Sequence, residues 1–473
     1  MYTVYCVCLG LLYVLYKRLI LSPLSKVPGP AIAATTRLVL IYHEFTRHRR
    51  RWIHALHMKY GPVVRIAPNE VSMGTWDAAK EIYVSGGSGY DKTSLYKLFD
   101  SYETECMFST LDKAPHGERR KRVADRYTRS FVMQPDVVTG MQERAQQFVA
   151  KCTEKTGSVS VDIYVYLHCY AIDCTTYHLF DPHGLNSLTS AADLAKVMEL
   201  SHHDDLKGSY MQYYFTELFH FTSQFARRAD RSQGIAAQIM NIVLRNDIAE
   251  HTVLYRLQTH VDMLDSRSIA SEIMDHTLAG LDTTGDALCF LMYHLSLPAS
   301  VTFQEKLHYE LAENPSTPID DLSYLDAMVK EGLRCFSPVL TSLPRRVPRG
   351  GRTIAGVFLP EETIVSCQAY TLHRMDEKVF PQPQEFIPER WLEPEGSIER
   401  NQLLSAFSTG GRGCIGKHLA LLEMKMLLKE TYSCYRTSVS PEMTASMDVD
   451  DQFVTSRPIG RKCLLSFEKI VQN

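Results

Sequence analysis

The sequence predicts a mainly α-helical fold with a smaller β portion, built as one large domain behind a single N-terminal transmembrane helix. Three observations predict it. Apolar residues recur at helical spacing through most of residues 113–311. Strand-like stretches are few and short: "VVRIAP" (63–68), "EVSMG" (70–74), "RTIAGVFL" (352–359) and "ETIVSCQAY" (362–370). Between residues 31 and 473 no linker, repeat or low-complexity tract divides the chain. With 473 residues, 45% of them hydrophobic, the chain can bury a substantial core.

The elements follow in order. Residues 1–16 carry no charge, Lys17 and Arg18 come next, and Leu19–Leu21 is apolar again. At about 1.5 Å per residue the uncharged run falls short of a hydrocarbon core of about 30 Å. Snorkelling by Lys17 and Arg18 lets residues 19–21 join the span, so the anchor is read as 1–21. Positive charge flanks only its C-terminal side, which places that side in the cytoplasm. A cleaved signal peptide fits less well: the basic leader is missing, and the only A-x-A, Ala31–Ala33, lies beyond a proline-rich turn. "SPLSKVPGP" (22–30) reads as a stiff hinge that cannot continue a helix, leaving 31–473 as the working domain. A helix over Leu38–Tyr60 is predicted next, then the first strand pair, then a helix from Trp76. The last helix is "HLALLEMKMLLKETY" (418–432). The basic cluster "RHRRR" (47–51) reads as a solvated face, with contact to anionic membrane lipid as the alternative.

Composition excludes several classes. Lys and Arg total 51 against 54 Asp and Glu, a net charge of −3 with no basic stripe, so nucleic acid is not a partner. Twelve cysteines include no C-x-x-C, which removes zinc knuckles and thioredoxin-like pairs. They read as buried free thiols in a reducing compartment, Cys169 and Cys174 among them. "SHHDD" (201–205) has metal-like residues, but contiguous ligands cannot converge from a regular helix, and it reads as a solvated loop or helix end. The aromatic run "YMQYYFTELFHF" (210–221) reads as core, with substrate access as the alternative.

Three stretches break local rules. "FSTGGRGCIG" (407–416) surrounds Cys414 with glycine just before an apolar helix. Free amides and the helix dipole there should lower the thiol pKa, giving a nucleophile or a metal ligand. No histidine context of a cysteine nucleophile is present, and a porphyrin-iron ligand explains more, with Arg412 facing a porphyrin carboxylate. "LAGLDTTGDALCF" (278–290) puts Gly280, Asp282, Thr283, Thr284 and Gly285 inside a helical pattern from about residue 268 to 297. Each glycine costs about 1 kcal/mol there. The stretch is either a proton relay at a widened turn or a break between two helices capped by Asp282. "KEGLR" (330–334) sets Glu331 and Arg334 three apart on one face in apolar surroundings, a buried pair that needs further partners such as Arg390 of "IPERW" (387–391).

Together these stretches resemble the cytochrome P-450 family of haem-thiolate monooxygenases. Phe407, Gly410, Arg412, Cys414 and Gly416 fill its F-x-x-G-x-R-x-C-x-G signature. Glu331 and Arg334 match E-x-x-R, and Pro388, Glu389 and Arg390 match P-E-R. Ala279, Gly280, Asp282, Thr283 and Thr284 match the oxygen-activation motif, all in the family's order. One departure is "HGERR", where His116 takes the place of a tryptophan and Arg120 keeps its arginine; "SLPRRVP" offers Arg345 as a further cation. The hinge and this variant look most like fungal members of the microsomal type that tailor secondary metabolites.

The resemblance implies haem b with Cys414 as the axial thiolate, packed by Phe407 and approached closely at Gly410 and Gly416. It implies Arg412, Arg120, His116 and Arg345 on the propionates, Ala279 and Gly280 against the haem, and Asp282 with Thr283 managing protons. Glu331, Arg334 and Arg390 would form a structural network. Lacking a G-x-G-x-x-G after a strand, the chain should draw electrons from a separate NADPH-cytochrome P-450 reductase, docking near "ERRKR" (118–122). The implied reaction inserts one atom of dioxygen into a lipophilic small molecule, a polyketide, terpenoid or alkaloid, at the endoplasmic reticulum membrane. The rivals are an oxidative coupling or ring-forming enzyme of the same fold, and a tethered binding protein that has lost catalysis.

Overall fold

In the computed structural model, which describes residues 2–154, 160–223, 233–259 and 264–470, helices dominate and strands are short. Six helices position the site: α1 (Tyr2–Leu19), α2 (Lys113–Val123), α3 (Ile163–Phe180), α4 (Ser266–Leu295), α5 (Ser323–Phe336) and α6 (Lys417–Tyr432). Side chains cap the starts of α3 and α4. Asp162 accepts from the Tyr164 amide at 3.1 Å ahead of α3, and Asp265 accepts from the Ser268 amide at 2.8 Å ahead of α4. The main core lies where α3, α4, α5 and α6 meet, with Leu167, Leu288, Leu325 and Leu427 fully buried.

Helix α4 runs unbroken through Asp282, so the break considered from sequence does not occur. Its glycines serve a neighbour. A Cβ at Gly280 would lie 2.1 Å from Thr175 Oγ1, and one at Gly285 would lie 2.9 Å from the His168 ring, both on α3. Close packing of α3 on α4 explains the tolerated helix penalty.

A five-stranded sheet forms the main β portion: β1 (Val63–Ala67), β2 (Glu70–Met73), β3 (Asp91–Lys92), β4 (Arg345–Arg346) and β5 (Ile364–Cys367), in the order β1-β2-β5-β4-β3. β1 and β2 are the antiparallel pair predicted, and β5 joins β2 in parallel. Pairing of β3 with β4 sets Lys92 opposite Arg345.

Other expectations change. The helix predicted over 38–60 splits into Leu38–Phe45 and Arg49–Tyr60, because Arg47 turns the chain at a φ of 61°. Of the "RHRRR" arginines Arg51 is exposed as expected, but the other three are drawn into ion pairs. Arg49 pairs with Glu44 at 2.9 Å, Arg50 with Asp451 at 2.7 Å and Arg47 with Asp204 at 2.6 Å. "SHHDD" is an exposed helix end as expected, with a helix closing at Ser201 and His202, His203 and Asp204 exposed, although Asp204 also meets Arg457 at 3.2 Å. The aromatic run divides: Tyr210 is buried beside Phe453, while Phe215 and Phe221 are exposed.

α1 is long and apolar enough to cross a membrane and keeps its side chains outside the core. Residues 22–30 fold back on the sheet: Leu24 and Val27 are buried, and the Arg65 amide donates to the Pro28 carbonyl at 2.7 Å.

Candidate active site

The loop ahead of α6 presents Cys414. Its amide donates to the Phe407 carbonyl at 2.8 Å, and the Gly413 amide donates to the Gly410 carbonyl at 2.9 Å, closing a tight turn. Gly410 sits at a φ of +74°, and a Cβ there would lie 2.1 Å from the Tyr83 carbonyl oxygen. Only glycine meets both demands. Arg120 of α2 donates to the Gly413 carbonyl at 2.8 Å and so fixes the loop from one side. Gly416 has its amide on the sulfur, and a Cβ there would meet only that sulfur at 3.9 Å.

The thiol is accessible although it lies deep in the molecule, which means that it faces a void. Cys414 lines a cavity of about 240 Å³ with Arg120, Ala124, Tyr127, Thr128, Ile415, Lys417 and His418. Burial pushes its pKa up, against the opposing pull of the Gly416 amide, Arg120 and Lys417. This corrects the expectation that the helix terminus lowers it. A metal ion bonded to the sulfur would pull it down.

Helix α4 has accessible surface in its middle as well. Ala279 is exposed, although Thr277 and Leu281 on either side are 0% and 1% exposed. Thr283 is one turn on, its hydroxyl donating to the Ala279 carbonyl at 2.6 Å. The Asp282 side chain is half-buried, and burial and Asp286 raise its pKa to about 6. At Gly280 a Cβ would meet Thr175 of α3, so glycine there lets the two helices pack closely.

Cations crowd one edge of this region. Lys92 and Arg345 are both 3% exposed and directly opposite across β3 and β4, an arrangement that repels. Arg345 Nη1 donates to the Tyr96 hydroxyl at 2.6 Å, while its buried Nε has no partner. Arg412 reaches Asp91 at 3.0 Å and the Leu111 carbonyl at 2.7 Å, and its Nε is likewise unpartnered. Burial, with Arg345 and Arg412 nearby, drives the Lys92 pKa well down. Burial and the same cations hold His116 near 3, so its imidazole is neutral and keeps one N–H to donate. Buried cations with orphaned N–H groups call for an anion with several acceptors.

Glu331, Arg334 and Arg390 come together as expected. Arg334 holds Glu331 with two bonds of 2.9 and 2.8 Å, and Arg390 Nε adds a third at 3.2 Å. The sequence reading missed Trp391 and the Ile387 amide, which also donate to Glu331 at 2.8 and 2.9 Å. It missed Lys92 and Tyr96 too, since only the pairing of two-residue strands far apart in sequence reveals them.

A haem fits this donor set. The accessible thiol would hold the iron, and the unpartnered Nε atoms of Arg345 and Arg412 would face the haem carboxylates. The fold and site thus define a haem-thiolate protein. The Cytochrome P450 family model matches residues 28–463, and the chain belongs to that family. Similar curated proteins include the cytochrome P450 monooxygenase hkm5 of Aspergillus hancockii, 27% identical over 93% of this chain and 90% of that protein. The cytochrome P450 monooxygenase ankB of Aspergillus thermomutatus is 29% identical over 94% and 89%, and stcB of Emericella nidulans is 26% identical over 94% and 89%. The chain is accordingly a P450 monooxygenase that uses a haem-thiolate cofactor, dioxygen, a lipophilic substrate and a redox partner. Its apolar N-terminal helix is compatible with a membrane anchor.

Proposed function

We propose that this protein inserts one atom of dioxygen into a lipophilic secondary metabolite of the polyketide, terpenoid or alkaloid kind. In this reading residues 1–21 anchor the chain in the endoplasmic reticulum membrane, 22–30 join the anchor to the domain, and 31–473 work on the cytoplasmic side. NADPH-cytochrome P-450 reductase supplies electrons, and haem b is the cofactor. The observation that carries the reading is the accessible Cys414 sulfur deep in the molecule, in a chain that also buries Arg345 and Arg412 with unpartnered Nε atoms. The fungal sources of the similar monooxygenases support the metabolic setting.

When bound, the haem supplies the redox chemistry that splits dioxygen between product and water. The residues of the chain do the rest. Cys414 would hold the iron through its sulfur, and the Gly416 amide would steady the charge there. Arg345, Arg412 and Arg120 would hold the propionates, and His116 would donate its single N–H. Phe407 packs beside the sulfur and holds the Cys414 amide through its own carbonyl. Ala279, with only a methyl group, leaves room on α4. A pKa of about 6 lets Asp282 hold a proton at mildly acid pH and release it near neutrality, with the Thr283 hydroxyl as the adjacent carrier.

The ferrous–carbon monoxide spectrum of the purified protein tests this. The red-shifted band of a thiolate-ligated haem is expected, and Cys414→Ser should abolish it. Purified protein that binds no haem would favour a tethered binding protein. Isotopic oxygen that never reaches product in a turning-over enzyme would favour coupling or ring formation.

A further inference from the structure

The seam between α3 and α4 holds a titratable pair that the site described above does not use. His168 of α3 is 1% exposed, and its Nδ1 faces the Tyr164 carbonyl at 2.8 Å. A carbonyl only accepts, so Nδ1 carries a hydrogen. Nε2 faces Asp286 Oδ1 of α4 at 3.5 Å, and neither atom has another hydrogen-bond partner among the described residues. Two bare acceptors would be costly in a dry seam, so one further proton lies between them. The pair is either imidazolium with carboxylate or imidazole with carboxylic acid. In both forms it keeps one exchangeable proton.

The position of this proton matters. Asp286 follows Asp282 by four residues, so both lie on one face of α4 a single turn apart. Both carboxyls act electrostatically on the His168 ring. The groups facing the pair are Asp282 and Cys289 from α4, Tyr164 from α3, and Arg457 from the strand Ser456–Pro458. Arg457 leads outward to Asp204, whose side chain is 29% exposed.

We propose that His168 and Asp286 form a proton store that recharges Asp282 during turnover, a supply pair lying behind the acid–alcohol motif. The inference rests on the monooxygenase reading. When Asp282 gives up its proton, the His168 Nε2–H bond breaks and a new O–H forms on the Asp282 carboxylate. The imidazole is left neutral beside Asp286, and Arg457 offsets the added negative charge. A proton from solvent restores the imidazolium. No electrons move through these residues, and one solvent proton is delivered per cycle.

The test uses full-length holoprotein carrying Asp286→Asn, which keeps the shape but cannot hold the proton, and His168→Gln as a second variant. With reductase and NADPH, each variant should release about tenfold more peroxide per NADPH than the parent, and product formation should show a larger solvent isotope effect. The carbon monoxide band should stay unchanged. A second readout needs no turnover. Asp286 and Asp282 hold His168 above its ordinary 6.5 in spite of burial. The stability that His168 adds is therefore full below about pH 6.5 and fades as pH rises through the folded value. The melting-temperature advantage of the parent over His168→Gln should narrow across that window. A constant gap from pH 6 to 9, or unchanged coupling and isotope effect in a folded variant, overturns the proposal. Loss of the carbon monoxide band in the parent itself would instead sink the monooxygenase reading, with the melting profile still able to reveal the pair.

Discussion

Truncating Glu331 to alanine leaves two buried guanidinium groups, an indole and a backbone amide without their acceptor. Oε1 accepts from Arg334 Nη2 at 2.8 Å, the Ile387 amide at 2.9 Å and Arg390 Nε at 3.2 Å. Oε2 accepts from Arg334 Nε at 2.9 Å and Trp391 Nε1 at 2.8 Å. Glu331 and Arg334 are both 0% exposed, so water cannot replace what is lost. Arg334 would keep the carbonyls of Pro383, Glu385 and His373, which accept hydrogen bonds but do not neutralise charge. Removing one partner of a buried pair costs about 3–5 kcal/mol. Two cations share this carboxylate, which favours the upper half, about 4–5 kcal/mol. Unfolding entropy of about 2.1 cal/mol/K per residue gives a chain of this length a fall of about 4–5 °C in melting temperature. Glu331→Gln keeps an acceptor but no charge, and about half that fall is expected. Circular dichroism melts of purified holoprotein measure both, with haem content per chain as a parallel reading. A Glu331→Ala protein that melts within about 1 °C of the parent at full haem content would refute the reasoning.

Three further outcomes follow from single contacts. Gly280→Ala places a methyl 2.1 Å from Thr175 Oγ1 and should destabilise by about 1–3 kcal/mol, with most of the loss recovered when Thr175→Ala is added; an unchanged melt would show that the α3–α4 contact is looser than described. Thr283→Ala removes the hydroxyl bonded to the Ala279 carbonyl, and should raise peroxide released per NADPH while haem content stays constant, whereas intact coupling removes Thr283 from the relay. Asp282→Asn should stabilise at neutral pH. Burial and Asp286 raise the folded pKa from 3.8 to about 6, so the favourable protonated state is kept below the unfolded value and lost as pH rises through about 6. A gain of about 2–3 kcal/mol at pH 7.5, fading toward pH 4, is the expected melt profile, and equal stability at pH 7.5 contradicts it.

The residues legible in the sequence are those that chemistry forces into short, fixed spacings. Cys414 with its glycines, Glu331 with Arg334, and Asp282 with Thr283 each lie within one loop or one helical turn, so spacing alone brings them together. The hidden residues act across folds of the chain. Lys92 meets Arg345 only because two-residue strands pair, and Arg50 meets Asp451 across almost the whole sequence. The sign of the thiol shift was hidden as well, because the helix terminus is a local feature while burial is a global one. Gly280 shows the same limit. Its penalty to α4 was visible, but its cause lies on α3 at Thr175.

These features share a direction. Lys92 opposite Arg345 and the orphaned Nε atoms of Arg345 and Arg412 weigh against the chain folded alone. A ligand that carries two carboxylates relieves both together. Cofactor binding should therefore be coupled to stability: at a free concentration a thousandfold above Kd it adds about 4 kcal/mol. Protein made under haem limitation should melt lower than holoprotein by about that amount. If the cation cluster contributes, a multivalent anion such as sulfate should recover part of the difference, and chloride at equal ionic strength should recover less. The recovery should shrink in a Lys92→Gln protein, where the facing charge on β3 is gone and Arg345 no longer meets a like charge. Equal melting of haem-free and haem-loaded protein would mean that the cluster is neutralised from within, and that the anion-binding role of Arg345 and Arg412 is wrong.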